Sequence, residues 1–311
     1  MLENIPGVLL GHHSMGDTGV TVVVAPDGAI ASVDVRGGGP GTRETDLLEP
    51  HNTVERVHAV VLSGGSAFGL AAADGVMSAL EERGIGFPVL GEGKPGPRVP
   101  IVPGAVIFDL LVGDANNRPR PEHGRAAVAA AFGGAELFGS GSTGAGCGAT
   151  AGKLRGGFGQ AEVKVGQWTV AAGVVANPVG SVIDPATGRL WADPSRPAVD
   201  LAKFAALPAL ESKLNTTIGV IATDAPVTKA QAKRLAMTGH DGLARAVRPA
   251  HSPLDGDTLF ALSTGNGSGV EIPEMLALST AAADAVCAAI VEAVVNAVSG
   301  YGLSSYQEIS H

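Results

Sequence analysis

The chain has 311 residues, 45% hydrophobic and 16% charged, which is long and apolar enough to bury a large core and argues against disorder. Its formal net charge of −9 comes without a run of Lys or Arg, which excludes a nucleic-acid partner. Two cysteines, Cys147 and Cys287, are too few for a disulfide framework or a cysteine zinc site, and they fit a reducing compartment.

Both ends of the chain bear on where the protein resides. The start, MLENIPGVLLGHHS, lacks the basic residues and the long apolar stretch of a signal peptide, so we expect a cytoplasmic protein. Residues 276–302 are the most apolar segment, but they include Asp284 and Glu292. Their periodicity predicts a buried amphipathic helix and no contact with a membrane.

The first part of the chain alternates strand-like and helix-like patterns, separated by glycine-rich turns. The patterns predict strands at 19–25, 30–35 and 57–62, helices at 67–83 and 121–132, and β-like runs within 161–184.

A proline-rich segment at 184–214 predicts an exposed connector. Beyond it the patterns predict strands at 216–223 and 257–263 and helices at 227–245 and 273–299. Because strands and helices are mixed and several strand pairs look antiparallel, we expect a layered α/β or α+β sandwich rather than a purely parallel sheet.

Several motifs resemble known sites but fail in detail. GCGATAGK is similar to a phosphate loop, yet five residues separate Gly146 from Gly152 where four are required, and Leu154 follows the lysine. The eight histidines show no HExxH spacing, so no metal is expected, and no Gly-x-Ser-x-Gly elbow is present.

The stretch SGGSAFG places Gly64 and Gly65 in a tight turn between a strand and a helix. The N-terminus of such a helix can hold an anion or a substrate carbonyl, which makes the turn a candidate part of a substrate pocket. A close-packed turn without a ligand explains the two glycines equally well.

The predicted strand at 216–223 begins abruptly with Thr216, directly after Asn215. A threonine hydroxyl becomes a useful nucleophile when the residue is chain-terminal, because its own α-amine, with a pKa of about 7.7 to 8.0, serves as the base. To reach that state, Thr216 would have to attack the Asn215 carbonyl and cut the chain. On pattern alone, β-branched residues at the start of a strand are an ordinary alternative.

The residues around Thr216 resemble a known family. NTTIGVIATDA, with VVANPVG upstream and HSPLDGDTLFALSTG downstream, is similar to the self-processing L-aminopeptidase/D-esterases and β-peptidyl aminopeptidases, a family that includes the 6-aminohexanoate (nylon) oligomer hydrolases. SVDVRGGGPGTRETDLL, VHAVVLSGGSAFGLAAADGV, PGAVIFDL and GATAGK extend the likeness over most of the chain.

This resemblance implies an α+β fold, the four-layer αββα sandwich of N-terminal-nucleophile hydrolases. It also implies a single domain, 1–311, cut between Asn215 and Thr216 into 1–215 and 216–311, with Thr216 as nucleophile. Asn177 matches an asparagine that the family places near the oxyanion. Lys153 matches a lysine of the nylon-oligomer branch, where a cation would lower the pKa of the new amine; a surface lysine is the alternative.

Asp255 and Asp257 flank Gly256, so in an extended chain both carboxylates point to one face and can meet the threonine amine or a substrate ammonium. A DG turn entering a strand is the alternative. Thr216 with two aspartates resembles the nylon-oligomer branch. The aminopeptidase branch has a serine nucleophile, and it carries a serine and a glutamate at the positions of Asp255 and Asp257. Phe108 stands where members of the family carry tyrosine, so a hydroxyl in the substrate pocket is missing.

We therefore expect an N-terminal-threonine hydrolase of short peptides, β-peptides, amino-acid amides or esters, or 6-aminohexanoate oligomers, acting without a cofactor. An acyltransferase of related fold and an uncleaved binding protein are the alternatives. The family also implies a homo-oligomer, commonly a tetramer.

Overall fold

The computed structural model describes residues 1–134, 139–208 and 214–311. Residues 209–213, which belong to the predicted connector, lie outside the described residues. The strands are β1 (Leu9–Ser14), β2 (Gly19–Val35), β3 (Thr42–Arg43), β4 (Arg56–Ser63), β5 (Phe87–Pro88), β6 (Arg98–Val99), β7 (Gly104–Val106), β8 (Thr150–Ala151), β9 (Leu154–Arg155), β10 (Gly157–Val165), β11 (Trp168–Ala176), β12 (Ile218–Thr223) and β13 (Thr258–Ser263). The α-helices are α1 (Ala72–Glu81), α2 (Pro121–Gly133), α3 (Leu201–Ala206), α4 (Lys229–Ala246), α5 (Ile272–Val295) and α6 (Tyr306–Ile309).

Nine of the described strands form one mixed sheet in the order β10-β11-β12-β13-β2-β4-β7-β3, with β1 paired to β2. Neighbouring strands are antiparallel except for the pairs β12–β13 and β4–β7, which are parallel. Strand β2 is long enough to pair with two sets of neighbouring strands. Its first half pairs with β1 and β4, and its second half pairs with β13. The strand that follows Thr216, β12, thus lies inside the sheet.

Three hydrophobic cores define the layers. The inner core joins strands from both ends of the sheet and includes Phe158, Val220 and Phe260, so the two halves of the sheet pack face to face. One outer core joins β2 and β4 to α1 and α2. The other packs the four strands β10, β11, β12 and β13 against α4 and α5. Helices, two sheet halves and helices again make four layers, which confirms the predicted αββα sandwich.

Several elements differ from the sequence prediction. Residues 19–35 form one strand, with a register shift between Val24 and Ala29, because Pro26–Asp27–Gly28 makes a bulge where a turn was predicted. Strand β1 was not predicted. The connector contains a short helix, α3, which begins because the Asp200 carboxylate accepts the N–H groups of Ala202 and Lys203.

Helix α5 is long and apolar enough to cross a membrane by length and composition alone. In the fold most of its apolar residues from Leu278 onward lie buried against β10, β11 and α4, whereas Ile272 and Leu276 in its first turns are exposed. The prediction of a buried helix at the end of the chain is confirmed.

Candidate active site

Thr216 lies two residues before β12, in a buried position with only 4% of its surface exposed. Its hydroxyl donates a short hydrogen bond to the carbonyl oxygen of Asn215. The hydroxyl therefore rests against the peptide group that the sequence analysis predicts to be cut.

The peptide between Asn215 and Thr216 is held from both sides. The Gly256 N–H donates to the Asn215 carbonyl oxygen at 3.1 Å, and the Thr216 N–H donates to the Asn177 carbonyl oxygen at 2.8 Å. Asn215 also forms a β-bridge with Asp255, and its side-chain amide donates to the Pro178 carbonyl at 2.9 Å. The carbonyl oxygen and the amide nitrogen of this peptide thus each have a fixed partner.

Gly256 comes close to the Thr216 hydroxyl. A Cβ built at Gly256 would lie 2.8 Å from Thr216 Oγ1 and 2.7 Å from the Gly39 carbonyl oxygen. Only a residue without a side chain fits between these groups. The sequence shows this glycine between Asp255 and Asp257, but its contact with Thr216 was not predicted.

The two aspartates flank the nucleophile and are almost fully buried, each with 1% exposure. Asp255 accepts the Val179 N–H at 3.0 Å through Oδ1, and the N–H and hydroxyl of Ser252 through Oδ2. Asp257 accepts the Thr217 N–H at 2.8 Å through Oδ1.

Burial raises the pKa of Asp255, and the nearby charge of Asp257 adds to this effect, although hydrogen bonds from Ser252 and Val179 oppose it. Both carboxylates are already occupied by donors of the chain itself. Their binding of a substrate ammonium stays a prediction.

Asn177 is fully buried beside the peptide to be cut. Its side-chain oxygen accepts the Thr150 N–H at 2.8 Å, which leaves the amide nitrogen as the group that donates, here to the Phe108 carbonyl at 3.2 Å. The structure brings Asn177 to Thr216 through its backbone carbonyl, and the predicted role of its side-chain amide at the oxyanion stays a prediction. In the uncut chain the hydrogen bond on the Asn215 oxygen comes from Gly256 rather than from the Asn177 amide.

Lys153 lies in the turn between β8 and β9. Its Nζ donates to the Ala205 carbonyl at 3.1 Å and lies 5.8 Å from the centre of the Phe204 ring, both in α3. Its predicted effect on the threonine amine is not visible in these contacts and stays a prediction.

Gly64 and Gly65 form the predicted turn after β4, and Gly65 has the left-handed backbone (φ 79°) that favours glycine. The turn is fixed by a residue that the sequence analysis did not single out. Asp109, next to Phe108, accepts the Gly65 N–H at 2.7 Å and the Thr18 hydroxyl at 2.7 Å. Burial raises the pKa of Asp109 to about 6.

Phe108 is half-buried and lies between the turn and Asn177. Its backbone carbonyl accepts a hydrogen bond from the Asn177 amide. The predicted pocket residues therefore come together beside Asn177, with Asp109 as their common support.

The described residues also line a cavity of about 890 Å³ that is remote from this site. It lies at the Arg56 end of β4, whereas Gly64 and Gly65 follow the opposite end. Among residues 1–134, 139–208 and 214–311, no group of three or more His, Cys, Asp or Glu side chains is placed to hold a metal ion.

Comparison with known proteins decides the family. A sequence model described as peptidase family S58 matches residues 1–306. The chain belongs to peptidase family S58. It is 46% identical to an uncharacterized aminopeptidase of Mycobacterium leprae over 98% of this chain and 92% of that one. It is 34% identical to a 6-aminohexanoate-oligomer endohydrolase of a Kocuria strain over 84% of this chain and 74% of that one.

Solved structures agree with this S58 assignment. A β-aminopeptidase from a Burkholderia species superposes with a TM-score of 0.74 at 25% identity, covering 98% of this chain and 89% of the other. An L-aminopeptidase D-Ala-esterase/amidase from Ochrobactrum anthropi, described as a variant of the Ntn hydrolase fold, gives a TM-score of 0.76 at 20% identity, covering 98% and 90%. The S58 chain is thus a peptidase-type hydrolase with an Ntn hydrolase fold, as the sequence resemblance implied.

Proposed function

We propose that this S58 peptidase cuts itself between Asn215 and Thr216 and then hydrolyses small amides with Thr216 as an N-terminal nucleophile. The observation that carries the proposal is the contact of the Thr216 hydroxyl with the carbonyl group of Asn215. The hydroxyl is already within reach of the bond that it would break.

Self-cleavage proceeds through the groups that hold this peptide. Thr216 Oγ attacks the carbonyl carbon of Asn215, and the Gly256 N–H, 3.1 Å from the oxygen in the uncut chain, stabilises the negative charge that develops there. The C–N bond then breaks, the Thr216 nitrogen takes up a proton, and Asn215 is left as an ester on Oγ. Water hydrolyses the ester, which frees the Asn215 carboxylate, the Thr216 hydroxyl and the α-amine.

Asp255 is our candidate for moving the proton in this sequence. Its backbone is bridged to Asn215, its side chain is buried, and burial raises its pKa, which makes the carboxyl easier to protonate. To take the hydroxyl proton and return it to the departing nitrogen, the ionised carboxylate would have to release the Ser252 hydroxyl, which its Oδ2 accepts in the uncut chain.

In the mature enzyme the α-amine of Thr216 acts as the base for its own hydroxyl, which attacks the substrate carbonyl and forms an acyl-enzyme. Asn177 accepts the Thr216 N–H through its backbone carbonyl, and its side-chain amide is a buried donor, so this amide is the candidate for stabilising the substrate oxyanion. Water then releases the acid.

Short peptides, amino-acid amides and 6-aminohexanoate oligomers are the proposed substrates. The names of the relatives support this range, since one set is called aminopeptidases and another 6-aminohexanoate-oligomer endohydrolases. A cytoplasmic location and a homo-oligomeric assembly are further proposals, and light scattering of the purified protein tests the assembly.

Intact mass spectrometry of freshly purified protein tests the cleavage. We expect wild type to give chains of 215 and 96 residues (311 − 215), and Thr216→Ala to remain whole. Thr217→Val is the matched control at the neighbouring threonine and should be cut like wild type. A wild-type chain that stays whole during prolonged incubation would contradict the proposal.

A further inference from the structure

The carboxylate of Asp257 links the nucleophile to a histidine that no step above uses. Asp257 Oδ1 accepts the N–H of Thr217, the residue directly after the nucleophile, at 2.8 Å. Asp257 Oδ2 accepts two hydrogen bonds from His251, one from its backbone N–H at 3.1 Å and one from its ring Nδ1 at 2.8 Å. A single carboxylate therefore joins the imidazole of His251 to the start of β12.

His251 is held in a conformation that a non-glycine residue seldom adopts. Its φ is 55°, in the left-handed region, and its ring packs edge-on against His240 with 4.8 Å between the ring centres. Such a backbone persists only where the surroundings impose it, and it is frequent at functional sites. Here it directs both the N–H and the ring of one residue to the same carboxylate oxygen.

The hydrogen bonds define which ring nitrogen matters. An ionised Asp257 only accepts, so Nδ1 carries the proton, and Nε2 is buried without a partner among the described residues. The groups that face this ring are Asp257 and His240, whose Nε2 lies 3.0 Å from the Asp34 carbonyl oxygen. Within the part of the chain that the structure describes, the imidazole therefore makes its polar contact with Asp257 alone.

We propose that His251 is a positioning residue for the reaction at Thr216: its Nδ1–H fixes the Asp257 carboxylate, and the carboxylate fixes Thr217 and the nucleophile before it. This inference rests on the proposed function. The role requires a donor at the position of Nδ1 and makes no use of Nε2.

Two substitutions separate this role from a general effect on folding. His251→Gly tolerates the left-handed backbone and keeps the backbone N–H, but it removes the ring donor. His251→Asn also tolerates this backbone, and its side-chain amide offers a donor close to the position of Nδ1. His51→Gly, at an exposed histidine, is the control for the loss of an imidazole.

The first readout is the rate at which newly synthesised chain is cut, followed by mass spectrometry. We expect His251→Gly to slow cleavage by about tenfold to a hundredfold, the effect of losing one hydrogen bond to a charged group. His251→Asn should stay within about threefold of wild type, because it restores that bond. His51→Gly should match wild type.

The second readout is turnover of an amino-acid p-nitroanilide with a free amino group by the fully cut proteins. His251→Gly should lower kcat with little change in KM, because it displaces the nucleophile and leaves the pocket intact. Cleavage and kcat of His251→Gly equal to wild type would overturn the inference, as would His251→Asn that is as slow as His251→Gly. A wild-type chain that is never cut would overturn the proposed function itself, so the two failures are distinct.

Discussion

The Gly256 N–H donates a 3.1 Å hydrogen bond to the carbonyl oxygen of Asn215. The oxygen thereby has a main-chain donor before any reaction begins, and the Thr216 hydroxyl approaches it at the same time. A peptide group arranged in this way is polarised and held next to its attacking group.

Gly256→Ala tests this arrangement. The new methyl group would lie 2.8 Å from Thr216 Oγ1, so the hydroxyl or the loop must shift. We expect self-cleavage to slow by about fivefold to a hundredfold, since overpacking of this kind costs about 1 to 3 kcal/mol. Gly133→Ala is the control because nothing lies within 4 Å of the added Cβ, and mass spectrometry over time gives the rates. Equal rates in the two variants would refute the geometry.

Thr217→Val should separate the two adjacent threonines. Thr217 is fully buried, and its hydroxyl has no hydrogen-bond partner among the described residues, whereas its N–H binds Asp257. Valine removes the unsatisfied hydroxyl and keeps the N–H and the shape. We expect the free energy of unfolding to rise by about 1 kcal/mol, measured by urea denaturation in the uncut Thr216→Ala chain. A loss of stability would show that the hydroxyl has a partner.

Asp109 should make stability depend on pH. Burial raises its pKa to about 6 from 3.8, so its contribution is fully present below pH about 4 and is lost as the pH rises through about 6. Relative to Asp109→Asn, the free energy of unfolding should fall by roughly 1 to 3 kcal/mol between pH 4 and pH 7. Urea denaturation of both chains, each also carrying Thr216→Ala, gives the difference. A difference that does not change with pH would be inconsistent with a buried titrating carboxyl.

Phe108→Tyr adds the hydroxyl that the sequence resemblance implies at this position. Phe108 is half-buried and its backbone carbonyl binds the Asn177 amide, so the substitution lies close to the candidate site. We expect kcat/KM for an amino-acid p-nitroanilide to rise by about tenfold through one new hydrogen bond in the transition state. Self-cleavage should stay close to the wild-type rate, because the Phe108 side chain is not one of the groups that hold the peptide between Asn215 and Thr216. Unchanged turnover would mean that the hydroxyl has no task in this protein.

The residues around Thr216 could be predicted because the sequence resembles a known family, whereas pattern alone leaves Thr216 an ordinary β-branched residue at the start of a strand. The resemblance picks out Thr216, Asn177, Asp255 and Asp257, and the fold brings them together. The donor on the Asn215 oxygen could not be found in this way. It is a backbone N–H, a group that every residue except proline carries, and only the three-dimensional path of the chain selects Gly256.

The same reasoning explains what was missed elsewhere. Asp109 contacts Gly65, which is far away in the sequence, and His251 has an unusual φ. Neither feature leaves a periodic signal in the sequence. Strand β2 was predicted as two strands because Pro26, Asp27 and Gly28 are typical turn residues. In the fold, β2 pairs with β4 before these residues and with β4 and β13 after them, so the strand stays continuous across them.

The interior position of β12 and β13 determines how a protein cut after Asn215 would unfold. Both strands would belong to the 96-residue piece, while their outer neighbours, β11 and β2, would belong to the 215-residue piece. The ladders that would join the pieces do not depend on the peptide bond at Asn215, so cutting it would leave the sheet joined. Once unfolded, however, the cut protein would be two separate molecules that must meet again, and its recovery would depend on concentration. After self-cleavage, the lifetime of the folded protein would thus be set by its rate of unfolding rather than by a reversible folding equilibrium.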